Sequence, residues 1–132
     1  MRTLLFRRRA GNADSHLTVL DAGEISIRVA QAGSESTVIV NGRVTVDSSP
    51  HLRSLLLQLL CQGTAPAVVI DLSGVSYLDM SGLATLLEAL KAGRLRSKTL
   101  RVLGMTGQTR MLAEIAELDK IFQAAGSQVE FR

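Results

Sequence analysis

The chain has 132 residues, of which 46% are hydrophobic and two are proline, enough to bury one core in a single domain and too ordered in composition for a disordered tail. It has no tryptophan, 3% aromatic residues and one cysteine, Cys61, which implies an aliphatic core, excludes an internal disulfide and fits a reducing cytoplasm. The net charge of +3 is concentrated in Arg2, Arg7, Arg8 and Arg9, and without them the rest carries −1 and is near neutral. The basic arm has the charge to touch nucleic acid or a membrane surface, but short basic termini are more often solvated tails, and no direct DNA binding is expected.

Residues 1 to 22 show no sustained periodicity and contain Gly11, Asn12, Asp14 and Ser15, which predicts a flexible basic arm with a short extended piece at Leu17 to Leu20. A domain over residues 23–132 follows. Leu4-Leu5-Phe6 is too short for the apolar region of a signal peptide, and arginines follow it. No apolar run reaches the roughly 18 residues of a membrane span, so no membrane insertion is expected.

Ile25, Ile27 and Val29 alternate with Ser26, Arg28 and Ala30, the period of a strand with one wet face. Gln31 to Ser36 reads as a turn, and a second strand runs from Thr37 to Val40. Asn41-Gly42 reads as a bend within that strand, whose alternation Val44 and Val46 continue. Asp47-Ser48-Ser49-Pro50 is a helix start, with a side-chain oxygen to cap free N–H groups and proline where its missing N–H costs nothing. Leu52, Leu55, Leu56, Leu59 and Leu60 form the inward stripe, and Gly63 ends the helix.

A strand from Ala67 to Leu72 follows, and its unbroken β-branched run Val68-Val69-Ile70 suits burial on both faces. Beyond Tyr77-Leu78, the residues Leu83, Leu86, Leu87 and Leu90 fall at helical spacing, so the polar tetrapeptide Asp79-Met80-Ser81-Gly82 marks the passage from strand to helix. That helix is expected to open at Ser81 and run to about Arg96, with Gly93 inside it. Thr99 to Leu103 forms a further strand. Thr106-Gly107-Gln108 starts a last helix with Met111, Leu112, Ile115 and Leu118 inward, and Ile121-Phe122 and Val129 to Phe131 are candidates for edge pairing. The order β-β-α-β-α-β-α predicts an α/β fold, a mixed, mostly parallel β-sheet of four to five strands with helices packed against it.

The two histidines, His16 and His51, lie apart, and no His, Cys or acidic set has the spacing of a metal site. Neither a dinucleotide fingerprint nor a P-loop occurs, and Ser81-Gly82 lacks both the context of a nucleophile elbow and a histidine to act as base. No cofactor and no catalysis are expected. Ser81 then has two readings. It can simply cap its helix, with Asp79 assisting. It can also be an exposed hydroxyl at the positive end of a helix dipole, where a phosphate is tolerated locally and changes the charge presented to a partner.

The run Asp71-Leu72-Ser73-Gly74-Val75-Ser76-Tyr77-Leu78-Asp79-Met80-Ser81-Gly82-Leu83 resembles the signature of the STAS domain, in particular that of bacterial anti-sigma factor antagonists. The strand-to-helix junction Asn41 to Asp47, with Ser49-Pro50, and the closing segment Leu118 to Phe122 resemble the same family. This implies a STAS-like fold and partner switching: the unphosphorylated protein binds an anti-sigma factor that is also a serine kinase, phosphorylation ends that binding, and a PP2C-type serine phosphatase restores it. Ser81 matches the phosphorylated serine. Asp79 and Gly82 match the positions flanking it, and the resemblance implies partner-binding positions at Met80, Thr45, Asp47 and Ser48 as well. The family often has Ser or Thr where Met80 stands, which leaves Ser81 as the hydroxyl to be modified. The family commonly carries an acid where Thr45 stands, and Asp47, two residues on and on the same strand face, is placed to substitute. STAS domains also serve as accessory or scaffold subunits of lipid-transport or signalling complexes, which is the alternative role.

Overall fold

The computed structural model describes residues 8–9 and 16–131. The elements are β1 (Arg8–Arg9), β2 (His16–Ala22), β3 (Ile25–Ala32), β4 (Glu35–Val44), α1 (Ser49–Gln62), β5 (Ala67–Leu78), α2 (Met80–Leu95), β6 (Thr99–Met105), α3 (Gly107–Ile115), α4 (Leu118–Ala124) and β7 (Gln128–Phe131). All strands join one sheet in the order β1-β2-β3-β4-β5-β6-β7, antiparallel from β1 to β4 and parallel from β4 to β7. The mixed sheet is the expected one, but it has seven strands among the described residues rather than four to five.

The additions lie at both ends. His16 to Ala22 pairs with β3 throughout its length, so the sheet begins before residue 23; of the arm expected over residues 1–22, residues 1–7 and 10–15 lie outside the described residues. The signal for this strand is weak because it is closed by a two-residue turn at Gly23-Glu24, where Gly23 adopts φ +62°. Gly33-Ser34 closes the next hairpin in the same manner, so the turn expected over Gln31 to Ser36 is shorter and its flanks are strand. At the other end, β7 pairs with β6 in parallel as expected of Val129 to Phe131.

From β4 onward each crossover moves one strand along the sheet in the same direction. Right-handed crossovers of that kind lay their helices on one face, and burial follows: Ile25, Ile27 and Val29 are buried while Arg28 and Ala30 are exposed, and Leu100 and Val102 are buried while Thr99 and Arg101 are exposed. The core is aliphatic, and Phe122 is the one fully buried aromatic ring among the described residues. Val69, on the other face, is still only 5% exposed, beside its register partners Thr37 and Arg101.

Asn41-Gly42 is a bend inside one strand: β4 is continuous through it, and its register against β5 shifts on either side. Gly42 has φ +104°, and a Cβ there would lie 2.1 Å from the Glu24 carbonyl oxygen. The strand ends at Val44, two residues before the expected Val46, because the Thr45 carbonyl accepts from the N–H groups of Ser48 and Ser49 and turns the chain into α1. Val46 is consequently 68% exposed. Gly93 is interior to α2, where a Cβ would meet Leu100 at 2.5 Å and Leu60 at 3.3 Å; the glycine lets α2 approach both β6 and α1.

The last expected helix is two helices, broken at Glu117, which adopts a left-handed conformation with φ 52°. In α3 the buried face carries Thr109 and Ala113 with Leu112 half-buried, whereas Met111 and Ile115, expected inward, are 62% and 75% exposed. Leu118 is buried, but in α4, and Ile121-Phe122 are helical in α4 rather than edge strand.

Candidate functional site

The site forms where β4 and β5 end and α1 and α2 begin. β5 runs to Leu78, well past the Leu72 end of its apolar run, and the Asp79 N–H donates to the Val44 carbonyl at 3.1 Å. Asp79, in extended backbone, is the N-cap of α2, and Ser81 lies inside the first turn rather than at its opening. A short acidic side chain before a helix satisfies N–H groups that have no intrahelical partner. Asp79 Oδ1 accepts from the Ser81 N–H at 2.9 Å and the Gly82 N–H at 3.1 Å, so the capping role expected of Ser81 belongs to Asp79.

The same carboxylate also holds the hydroxyl and the neighbouring loop. Ser81 Oγ donates to Asp79 Oδ1, while Asp79 Oδ2 accepts from the Val46 N–H at 3.0 Å. Burial opposes ionisation of Asp79 and is the largest single influence. The hydrogen bonds from the Ser81 hydroxyl and from the backbone N–H groups of Gly82, Val46 and Ser81 together outweigh it and hold the carboxyl below the usual aspartate value. On its other side, Ser81 Oγ accepts from Ser49 Oγ at 3.2 Å, which joins the first turns of α1 and α2. Ser81 is half-buried and Ser49 is buried.

The structure divides the expected partner-binding residues. Met80, 66% exposed, and Asp47 face solvent, and Thr45 is half-buried beside them. Ser48 is 2% exposed: its hydroxyl donates to the Arg43 carbonyl and accepts from the Thr45 N–H, which leaves it neither a surface contact nor a side-chain cap for α1. Gly82 is buried as well. A Cβ at Gly82 would come within 2.4 Å of Leu78 and 2.9 Å of Val44, so its smallness serves the core packing of α2, not the approach of a partner. Asp47 lies in the turn beyond β4, not on a strand face with Thr45, and donates its N–H to Thr45 Oγ1 at 3.2 Å.

Four contributors carry no mark of the site in the sequence: Glu24, and Val46, Ser49 and Gln108, which stand out there only as strand or helix-start residues. Glu24, from the β2–β3 turn, accepts the Thr45 hydroxyl and lies 3.7 Å from Arg43, whose guanidinium stacks over Tyr77 at 4.5 Å. Ser49 reaches Ser81, Val46 flanks Asp79, and Gln108 of α3 holds the backbone at Leu78. The tetrapeptide stands out by composition; these residues meet it only in the folded chain, from the β2–β3 turn, the loop after β4, α1 and α3, and no local pattern ties them to it. Val46, held by Asp79, and Met80, next to Asp79 in the chain, are both exposed apolar side chains beside the cap of α2. Among the described residues no His, Cys, Asp and Glu group is placed to hold a metal ion, and no helix is long and apolar enough to cross a membrane.

Comparison with known proteins matches most of the chain. The family model described as Mlab, STAS domain matches residues 27–123. The anti-sigma-B factor antagonist of Staphylococcus epidermidis is 32% identical over 94 residues, covering 70% of this chain and 86% of that protein. The crystal structure of an anti-sigma factor antagonist from Mycobacterium paratuberculosis superposes with a TM-score of 0.68 at 28% identity, over 78% of this chain and 87% of that one. The phosphorylated form of the Bacillus cell fate determinant SpoIIAA shares the fold, with a TM-score of 0.63 at 11% identity over 80% of this chain and 90% of that one.

Proposed function

This chain belongs to the STAS domain family and resembles its anti-sigma factor antagonists, and from that premise we propose that it works by partner switching controlled at Ser81. In the unphosphorylated state it binds an anti-sigma factor that is also a serine kinase, and so frees a sigma factor. Phosphorylation of Ser81 releases the complex, and a PP2C-type serine phosphatase resets it. The protein is a regulator acting in the cytoplasm and needs no cofactor.

The observation that carries this reading is the Ser81 hydroxyl held between Asp79 and Ser49 at the start of α2. Transfer of the γ-phosphoryl group of ATP forms a bond from phosphorus to Ser81 Oγ as the bond to the departing ADP breaks, and it removes the proton that Ser81 donates to Asp79. It puts close to two negative charges beside a carboxylate that stays ionised at neutral pH. The phosphate then competes with Asp79 for the Ser81 and Gly82 N–H groups, which favour either anion. Because Asp79 also holds the Val46 N–H, displacing it disturbs the loop that presents Val46 and Asp47. The contact surface in this reading is Val46, Met80, Asp47, Thr45 and Asp79, with Ser81 at its centre.

Incubation with the cognate kinase and ATP is expected to add one phosphate, and Ser81→Ala to abolish it. Undiminished labelling of that variant by intact-mass spectrometry would exclude the site.

A further inference from the structure

Beyond Asp71, β5 loses β6 as a neighbour: the β5–β6 register ends at Asp71↔Leu103, whereas β4 follows β5 as far as Val44↔Leu78. The last residues of β5 therefore have one open edge. In a strand, the N–H and C=O of one residue point to the same side, and those of the next residue to the other. The Asp79 N–H turns to β4, where it meets the Val44 carbonyl, so both backbone groups of Leu78 turn to the open edge. The Gln108 side-chain amide takes both: its Oε1 accepts from the Leu78 N–H at 2.9 Å and its Nε2 donates to the Leu78 carbonyl at 2.7 Å. One side chain thereby stands in for one residue of a missing strand.

Gln108 is itself fixed. It lies in the first turn of α3, where the Thr109 hydroxyl accepts from the Thr106 N–H at 3.1 Å and donates to the Thr106 carbonyl at 2.8 Å. Leu78 is buried and directly precedes the residue that caps α2. We propose that Gln108 is a positioning residue for the Ser81 acceptor, its amide fixing the peptide from which Asp79 and the first turn of α2 depart. The proposal rests on the reading of Ser81 as the phosphoacceptor and adds α3 to the elements that set its geometry. Glutamine suits this role because it has an acceptor and a donor on one planar group; a carboxylate of the same length accepts but does not donate.

Residue-resolved amide hydrogen exchange by NMR on the full chain tests this without a kinase. Gln108→Ala is expected to accelerate exchange not only at Leu78 but also at Ser81 and Gly82, by roughly tenfold, with β3 and the middle of α1 unchanged. Gln108→Glu, which keeps one of the two bonds, is expected to fall between wild type and Gln108→Ala, and it decides the matter by itself if the alanine variant does not fold. Faster exchange confined to Leu78, or wild-type protection of Ser81 and Gly82 in Gln108→Glu, would overturn the proposal. Failure of a kinase to label wild-type Ser81 would instead strike the phosphoacceptor reading and leave the exchange result standing.

Discussion

Asp79 carries the site because one carboxylate serves four donors: two N–H groups of the α2 first turn, the Ser81 hydroxyl and the Val46 N–H. Replacing it by alanine removes a helix cap and a loop tether together, and is expected to cost about 0.5–2 kcal/mol in urea unfolding. The sign of the pH dependence follows from its lowered pKa. The contribution is complete above 3.8, the ordinary value, and is lost as pH falls through the lower folded-state value. Asp79→Asn should flatten the fall of stability in that acid range, whereas an unchanged slope would mean that the carboxylate is not held as described. At this scale the sequence makes Asp79, Met80 and Ser81 stand out, because a polar tetrapeptide between two apolar patterns is a local signal. It leaves Glu24, Ser49 and Gln108 silent, since each reaches the site from a different element.

Two glycines show how elements are brought close enough to form the site. Gly82 lets the first turn of α2 settle onto Leu78 and Val44. Gly82→Val should therefore destabilise the fold by about 1–3 kcal/mol through overpacking, measured as a shift of the unfolding midpoint. Gly42 places the bend of β4 against the Glu24 carbonyl at a positive φ, so Gly42→Ala, which would be mildly stabilising at a compatible site, should instead destabilise by more than about 1 kcal/mol, read in the same assay. Element types were legible wherever periodicity was strong, as in α1, β5 and α2. The phase of α3 was not, because its buried face carries Thr109 and Ala113 and its exposed face Met111 and Ile115. Hydrophobicity points the wrong way when a threonine is buried with its hydroxyl satisfied inside its own turn.

Across the whole molecule, helices gathered on one face of a single sheet bring two helix starts and two strand ends to one edge. The partner switching we propose needs this edge to change its charge and the loop at Val46 to shift, with no rearrangement of the core. The parallel half of the sheet was legible from the alternation of strands and helices. The antiparallel extension was less so, because short strands closed by two-residue turns leave little periodicity. Ser81→Asp carries half or more of the charge of a phosphate, and burying it unpaired at an interface should weaken binding by several kcal/mol. The most direct test uses the unphosphorylated chain and its Ser81→Asp variant as paired baits in a lysate of its own cells. The account predicts that the unphosphorylated chain retains a kinase-like anti-sigma factor and that the variant does not. Equal retention by both baits, or recovery of a transporter subunit in place of the kinase, would contradict it.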